Sequence, residues 1–265
     1  REIVGGQVVT ESFGDGFTVD SIHAGGTLRP DIIKDLKLGL DTPTATRPPF
    51  ISLQANGNHL VLDSDPAKAT ESIKRFSEAD AANWLPFIEF MKKVEKFMHL
   101  ANETIMPRLP KNFSLTEGYG LAELGLDIRL MGGKDMMRII RGIPMTADEF
   151  VDEWFESDVV KAAVASIGIH GITLGAFGAG TGYTLMHNWA NRGGLSHVSV
   201  QGGVGKITEA LASVVKSFGG EIRTGAEVER IQVDTFTCKG VVLKNGAELA
   251  AKNVISAVYP KQTFR

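Results

Sequence analysis

Two glycine pairs, Gly5-Gly6 and Gly202-Gly203, are where this chain could let a flat ligand or a phosphate approach its backbone. A Cβ would clash at such a point, and glycine has none. The opening Arg1-Glu2-Ile3-Val4-Gly5-Gly6-Gln7 reads as the tail of a nucleotide-binding pattern. In that pattern an acidic residue and an arginine precede the glycine pair, just after the second strand of a dinucleotide fold. A third glycine-rich run, Gly175 to Tyr183, lacks the Lys-Ser/Thr ending of a phosphate loop, and no clear strand leads into it. It reads instead as a flexible wall of a substrate cavity, with Phe177 and Tyr183 as aromatic lining. His99 and Glu103 stand four apart on a predicted helix with no third ligand in sight, so no metal centre is expected. The single Cys238 excludes an internal disulfide and a Cys-x-x-Cys pair, and favours a reducing compartment.

The elements that must hold these residues are legible in part. Phe50-Ile51-Ser52-Leu53-Gln54, Asn56-Gly57 and His59-Leu60-Val61-Leu62 predict a hairpin, with Asn-Gly suited to a tight two-residue turn. Ser77-Glu78-Ala79-Asp80 predicts a helix start. Beyond it, Trp84, Phe87, Ile88, Met91, Val94, Phe97 and Met98 form one apolar stripe. Thr146-Ala147-Asp148-Glu149 is a capping box for a helix through about residue 156, and Ser157 is expected to cap another to about residue 166. A helix from about Ile207 to Phe218 should stop at Gly219-Gly220. A strand over 221–234, a hairpin turning at Asn245-Gly246 and a buried parallel strand, Val254-Ile255-Ser256-Ala257-Val258, complete the expectation.

The totals set outer bounds. At 265 residues, 43% hydrophobic, the chain can bury a sizeable core. A formal charge of −3 argues against a nucleic-acid partner. The most apolar stretch, 159–177, is interrupted by Lys161 and His170 and falls short of the roughly 20 residues a membrane span requires.

Taken in order, Arg1…Gly5-Gly6, Gly202-Gly203-x-Gly-Lys before a helix, Gly225-Ala226-Glu227-Val228-Glu229-Arg230-Ile231, and Val254-Ile255-Ser256-Ala257 resemble the FAD-dependent phytoene desaturase-like oxidoreductases. These are relatives of the flavin amine oxidases. The stretch 149–183 looks most like the pyridine nucleotide-disulfide oxidoreductase domain-containing branch. The resemblance implies an α/β fold (α+β overall): an incomplete Rossmann-like FAD-binding domain, 1–45 and 196–265, with a helical substrate domain carrying a small sheet, 46–195, inserted. It implies that Arg1, Gly5, Gly6, Gln7, Val8, Gly25, Gly26, Gly202, Gly203, Val228, Ser256 and Ala257 line FAD. His23, whose imidazole titrates near neutrality when unperturbed, would move a proton beside the flavin. His187 and His197 are weaker candidates flanking the second glycine pair.

The same resemblance implies hydride transfer between flavin and an apolar, isoprenoid or lipid-like substrate. Flavin amine oxidase chemistry and a flavin-free scaffold are the alternatives. Because the Gly-x-Gly-x-x-Gly turn and the ribose carboxylate would precede Arg1, the chain is expected to be a fragment that alone binds FAD poorly and is inactive. The missing elements would come from an N-terminal segment or a partner chain. Peripheral membrane contact and a cytoplasmic location are expected, with the mitochondrial matrix as alternative if a transit peptide was removed.

Overall fold

Every strand pairing among the described residues is antiparallel, and each sheet is small. The computed structural model describes residues 2–20, 28–40, 49–104, 115–195 and 200–264. Arg1, His23, Gly25, Gly26 and His197 lie outside them. The described architecture is mixed α/β, helices with small β-sheets, and it contains no Rossmann dinucleotide-binding unit. By contacts the chain divides into a larger unit, Gln7–Lys206, and a smaller one, Arg1–Gly6 with Ile207–Arg265.

The larger unit starts with a hairpin, β1 (Thr10–Ser12) and β2 (Thr18–Asp20), which sets Thr10 opposite Asp20. A short helix, α1 (Pro30–Asp35), is followed by the predicted hairpin of β3 (Phe50–Leu53) and β4 (His59–Leu62). Its turn is one residue longer than expected. The Gln54 N–H donates to Asn58 O at 2.9 Å, Asn56 keeps an ordinary φ, and only Gly57 is left-handed, at +83°. The Asn56 side chain accepts from the Asn58 N–H at 3.0 Å, so asparagine closes the turn through its amide oxygen and not through a positive φ.

Two helices then build the core. In α2 (Pro66–Lys74), Asp65 accepts from the Ala67 N–H at 2.9 Å. In α3 (Glu78–Glu103) the Ser77 hydroxyl accepts from the Asp80 N–H at 3.0 Å, as the sequence predicts. The apolar stripe of α3 is buried at Trp84, Phe87, Met91, Val94 and Met98. Phe87 lies at its centre, edge-on to Trp154 (5.4 Å), Phe155 (5.1 Å) and Trp189 (5.4 Å). Such edge-to-face contacts add about 0.5–1.5 kcal/mol each to the area buried.

After α4 (Leu115–Leu130) and α5 (Gly133–Gly142), the capping box of Thr146 and Glu149 forms as predicted and opens α6 (Ala147–Asp152). That helix ends four residues early. The cause is Asp80, 0% exposed, whose carboxylate accepts from the N–H groups of Glu156 at 2.7 Å and Ser157 at 3.0 Å. The next helix, α7 (Asp158–Ala165), leads into a 3-10 turn, Ser166–Ile169. Ser157 is its N-cap residue yet makes no side-chain cap; Asp80 of α3 instead accepts from the Ser157 N–H, just ahead of the helix.

The glycine-rich run is a packing device. Its last residues start α8 (Thr181–Arg192). Thr181, fully buried, accepts from the Ala147 N–H at 2.8 Å and donates to Gly178 O at 2.7 Å, tying the run to the start of α6. A Cβ at Gly182 would overlap the Gly142 carbonyl and stand 2.9 Å from Met145 O. Both obstacles are backbone, so Gly182→Ala is expected to destabilise the larger unit by about 3 kcal/mol. It should lower the urea midpoint without changing the slope. A midpoint within error of wild type would contradict this close approach.

The helix α9 (Gly205–Ser217) stops where Gly219-Gly220 predicts. The smaller unit then carries a meander of β5 (Val228–Asp234), β6 (Thr237–Leu243) and β7 (Glu248–Ala250). Two expectations fail here. The strand over 221–234 begins only at Val228; before it Arg223 pairs with its neighbour Glu221 at 2.6 Å, and Gly225 is left-handed at +67°. The stretch Val254 to Val258 is no strand: Ile255 is 96% exposed. A parallel strand needs a neighbour brought alongside by a crossover, and the described residues supply none. A short helix, α10 (Pro260–Thr263), closes the described chain.

Candidate functional site

Within the larger unit, the Gly202-Gly203 turn packs on the first hairpin. Asp20 Oδ1 accepts from the Thr10 hydroxyl at 2.6 Å and from the Val204 N–H at 3.0 Å. The Gly205 N–H donates to Thr10 Oγ1 at 3.0 Å. The N–H groups that open α9 therefore meet a carboxylate and a hydroxyl of the protein itself. A helix N-terminus attracts anions, and here that attraction is met by Asp20. A Cβ at Gly203 would overlap Thr10 Oγ1 and lie 2.7 Å from Asp20 Oδ1, whereas one at Gly202 would touch only the Lys206 side chain, at 3.4 Å. The requirement for glycine at 203 follows from its φ of +92° together with the hairpin packed against it.

In the smaller unit, Gly5 and Gly6 have φ of +116° and +61°, and a Cβ built on Gly6 would meet nothing within 4 Å. Val228 opens β5 and is about half exposed. Ser256 and Ala257 are exposed, with the Ser256 hydroxyl 2.8 Å from that of Thr263. The contact division places Gly5, Gly6, Val228, Ser256 and Ala257 in this unit, and Gln7, Val8, Gly202 and Gly203 in the larger one. Gln7 is exposed and Val8 half-buried.

These residues can be tested against FAD. Open glycine backbone and exposed Val228, Ile255 and Ala257 suit the apolar edge of a flat cofactor. The anchor for its phosphates is a different matter. That role requires a glycine-rich turn at a helix N-terminus whose N–H groups face the ligand. Of the two predicted glycine pairs, the one that opens a helix has its following N–H groups engaged by Asp20 and Thr10. The described residues at that pair do not offer a site for a pyrophosphate.

The substrate-side candidates are spread over the surface of the larger unit. Phe177 is 79% exposed, and Tyr183 is 43% exposed beside His187, ring centroids 5.9 Å apart. His99 faces Glu95 at 3.8 Å, and Glu103 lies 4.0 Å from Arg29, so the two predicted partners each turn elsewhere. Among the described residues, no three His, Cys, Asp or Glu side chains gather as a metal site, and no helix is long and apolar enough to cross a membrane. Arg29 also donates to Asp31 at 2.6 Å, and that hydrogen bond holds the Asp31 carboxyl below its ordinary range. The Arg223 hydrogen bond does the same for Glu221. Both pairs are exposed and contribute little to stability.

Thr10, Thr181 and Asp80 as structural acceptors went unforeseen, since each acts on residues remote in the chain. The only local sign was the position of Asp80 in an acidic first turn.

Comparison with known proteins finds relatives that match along the whole length of the chain. No family model matches it. Among particular proteins, it is 29% identical over 289 residues to the rat pyridine nucleotide-disulfide oxidoreductase domain-containing protein 2. That match takes in 100% of this chain and 49% of the rat protein. The mouse protein of the same name is 27% identical over 292 residues, again with 49% of its length covered. A 4,4'-diapophytoene desaturase from a Methylomonas species is 36% identical over 73 residues, 28% of this chain. The fold is similar to that of a putrescine oxidase mutant from a cofactor-binding redesign. The TM-score is 0.53 at 15% identity, over 99% of this chain and 52% of the oxidase. The chain thus spans about half the length of the relatives it matches throughout.

Proposed function

We propose that these residues form part of an FAD-dependent oxidoreductase of the desaturase or dehydrogenase type, with an apolar, isoprenoid or lipid-like substrate. The observation that carries this reading is similarity along the whole chain to an oxidoreductase-domain protein, together with the local match to a carotenoid desaturase. In the proposed division, 1–45 and 196–265 line the cofactor as parts of an incomplete Rossmann-like domain, and 46–195 form the substrate domain. When bound, flavin supplies hydride transfer; the protein's share is to orient the substrate and exclude water. Gly5, Gly6 and the exposed 255–257 segment line the flavin edge. The pyrophosphate is held by a glycine-rich unit from outside these 265 residues or from a partner chain. The single cysteine accords with a reducing compartment such as the cytoplasm.

Two measurements test this. The purified 265-residue chain is expected to carry no stoichiometric flavin absorbance; one flavin per chain would overturn the assignment of the phosphate anchor elsewhere. In a protein that also carries the glycine-rich unit, anaerobic titration should bleach the flavin with polyenes or lipids. Bleaching by amines alone would replace the desaturase reading with amine oxidation.

A further inference from the structure

Helices α3 and α5 and the end of α6 line a half-open pocket of about 280 Å³ in the larger unit. Its wall is charged: Glu89 and Lys93 come from α3, Lys134, Asp135 and Arg138 from α5, and Glu153 from the end of α6. Each of these acids has a cation of its own. Glu89 accepts from Lys92 at 2.7 Å, Asp135 from Lys93, and Glu153 from Arg141. Lys92 and Arg141 come from outside the wall, so two wall cations, Lys134 and Arg138, are left over. They stand four apart on α5, on one side of that helix.

Arg138 is held in place yet makes no hydrogen bond among the described residues. Its guanidinium lies over the Trp154 ring at 4.4 Å, with the Phe90 ring at 5.9 Å. Its nearest acid, Asp135, is 3.8 Å away and already engaged by Lys93. The side chain is 26% exposed, and its nitrogens are not among the buried unpartnered atoms of the described residues, so they keep accessible surface. Stacking on an aromatic face fixes the plane of a guanidinium and leaves its N–H edge to donate. That edge is a fork that fits a carboxylate through two parallel hydrogen bonds.

We propose that this pocket binds a small, hydrophilic organic carboxylate, which accepts two N–H bonds from Arg138 and has the Lys134 ammonium as its second contact. The acids of the wall disfavour a dianion such as phosphate, and the charged lining offers nothing to a large apolar body. This binding is independent of the flavin reading, because every residue it uses lies in 89–154.

The test titrates the 265-residue chain at constant ionic strength with lactate, with lactamide as its neutral near-isostere, and with inorganic phosphate. The Arg138 Nε–H resonance is followed by NMR and assigned by its loss in Arg138→Lys. Lactate is expected to move it downfield and saturably, and lactamide is not. The Trp154 indole N–H, on the ring beneath the guanidinium, reports binding in the variants. Arg138→Lys keeps the charge and loses the fork, and should weaken lactate binding about 10-fold, the loss of one charge-assisted hydrogen bond. Lys134→Ala, at an exposed side chain, should weaken it about 2- to 5-fold. Should Arg138→Lys not fold, Lys134→Ala and the contrast between lactate and lactamide decide. Equal shifts with lactate and lactamide, tighter binding of phosphate than of lactate, or unchanged affinity in the variants would overturn the proposal.

Discussion

Asp80→Ala is expected to destabilise the larger unit by about 1–3 kcal/mol, because it removes a buried carboxylate that accepts from two part-buried backbone N–H groups at once. The carboxylate is 0% exposed and takes the N–H groups of Glu156 and Ser157, 76 and 77 residues away. It ties the start of α3 to the link between α6 and α7. Alanine leaves those donors without a protein acceptor. Asp80→Asn keeps one acceptor and should fall between alanine and the unaltered chain. The informative control is Ser157→Ala. A capping serine would cost about 1 kcal/mol on removal, yet the Ser157 hydroxyl makes no cap here, and its loss should shift stability by under about 0.5 kcal/mol. Urea unfolding followed by tryptophan fluorescence reads this unit alone, since Trp84, Trp154 and Trp189 all lie in it. A Ser157 effect larger than that of Asp80 would reverse the assignment.

The second large effect is expected at the glycine pair. Gly203→Ala meets a left-handed φ of +92° and overlap with Thr10, while Asp20 Oδ1 lies 2.7 Å from the new carbon. The strain and the steric conflict together come to about 2–5 kcal/mol. Gly202→Ala has a comparable φ, +83°, but touches only a flexible lysine chain, so about 1 kcal/mol is expected. The difference isolates the contact with the hairpin. Because β1 and β2 are three residues each, the strain should release by loosening them locally and not by unfolding the core. Hydrogen exchange at 10–20 should therefore accelerate more in Gly203→Ala than in Gly202→Ala. Equal acceleration would mean that the turn does not need glycine for the hairpin, and its glycine requirement would pass back to a bound ligand.

The contrast between those two glycines shows where reading the chain stopped being sufficient. A pair of glycines announces a close approach but not what approaches. Gly203 met Thr10 and Asp20, whose register in β1 and β2 carries no sequence mark. The hairpin at Asn56-Gly57 was visible, and the same chemistry recurs at Asn245-Gly246, where Asn245 accepts from the Ala247 N–H at 3.1 Å. The turn between β5 and β6 was invisible. It is made by Thr235 and Phe236 at φ of +45° and +65°, residues that rarely take that conformation. The run at 254–258 had the composition of a buried strand and became an exposed segment, because composition cannot supply a neighbouring strand.

By itself the sequence determined the features that depend on a few consecutive residues: the cap of α3 at Ser77, the capping box of α6, the apolar stripe of α3 that carries Phe87, the stop of α9. Those rest on hydrogen bonds and side-chain periodicity within one or two turns of chain, where distance is fixed by covalent geometry. Tertiary structure alone decided which carboxylate holds the chain between α6 and α7, which hydroxyl ties the glycine-rich run to α6, and what approaches position 203. Each of these is a meeting of groups far apart in the chain. Only the packing of the whole unit brings them within 3 Å, and a buried polar group is settled by whichever partner arrives there.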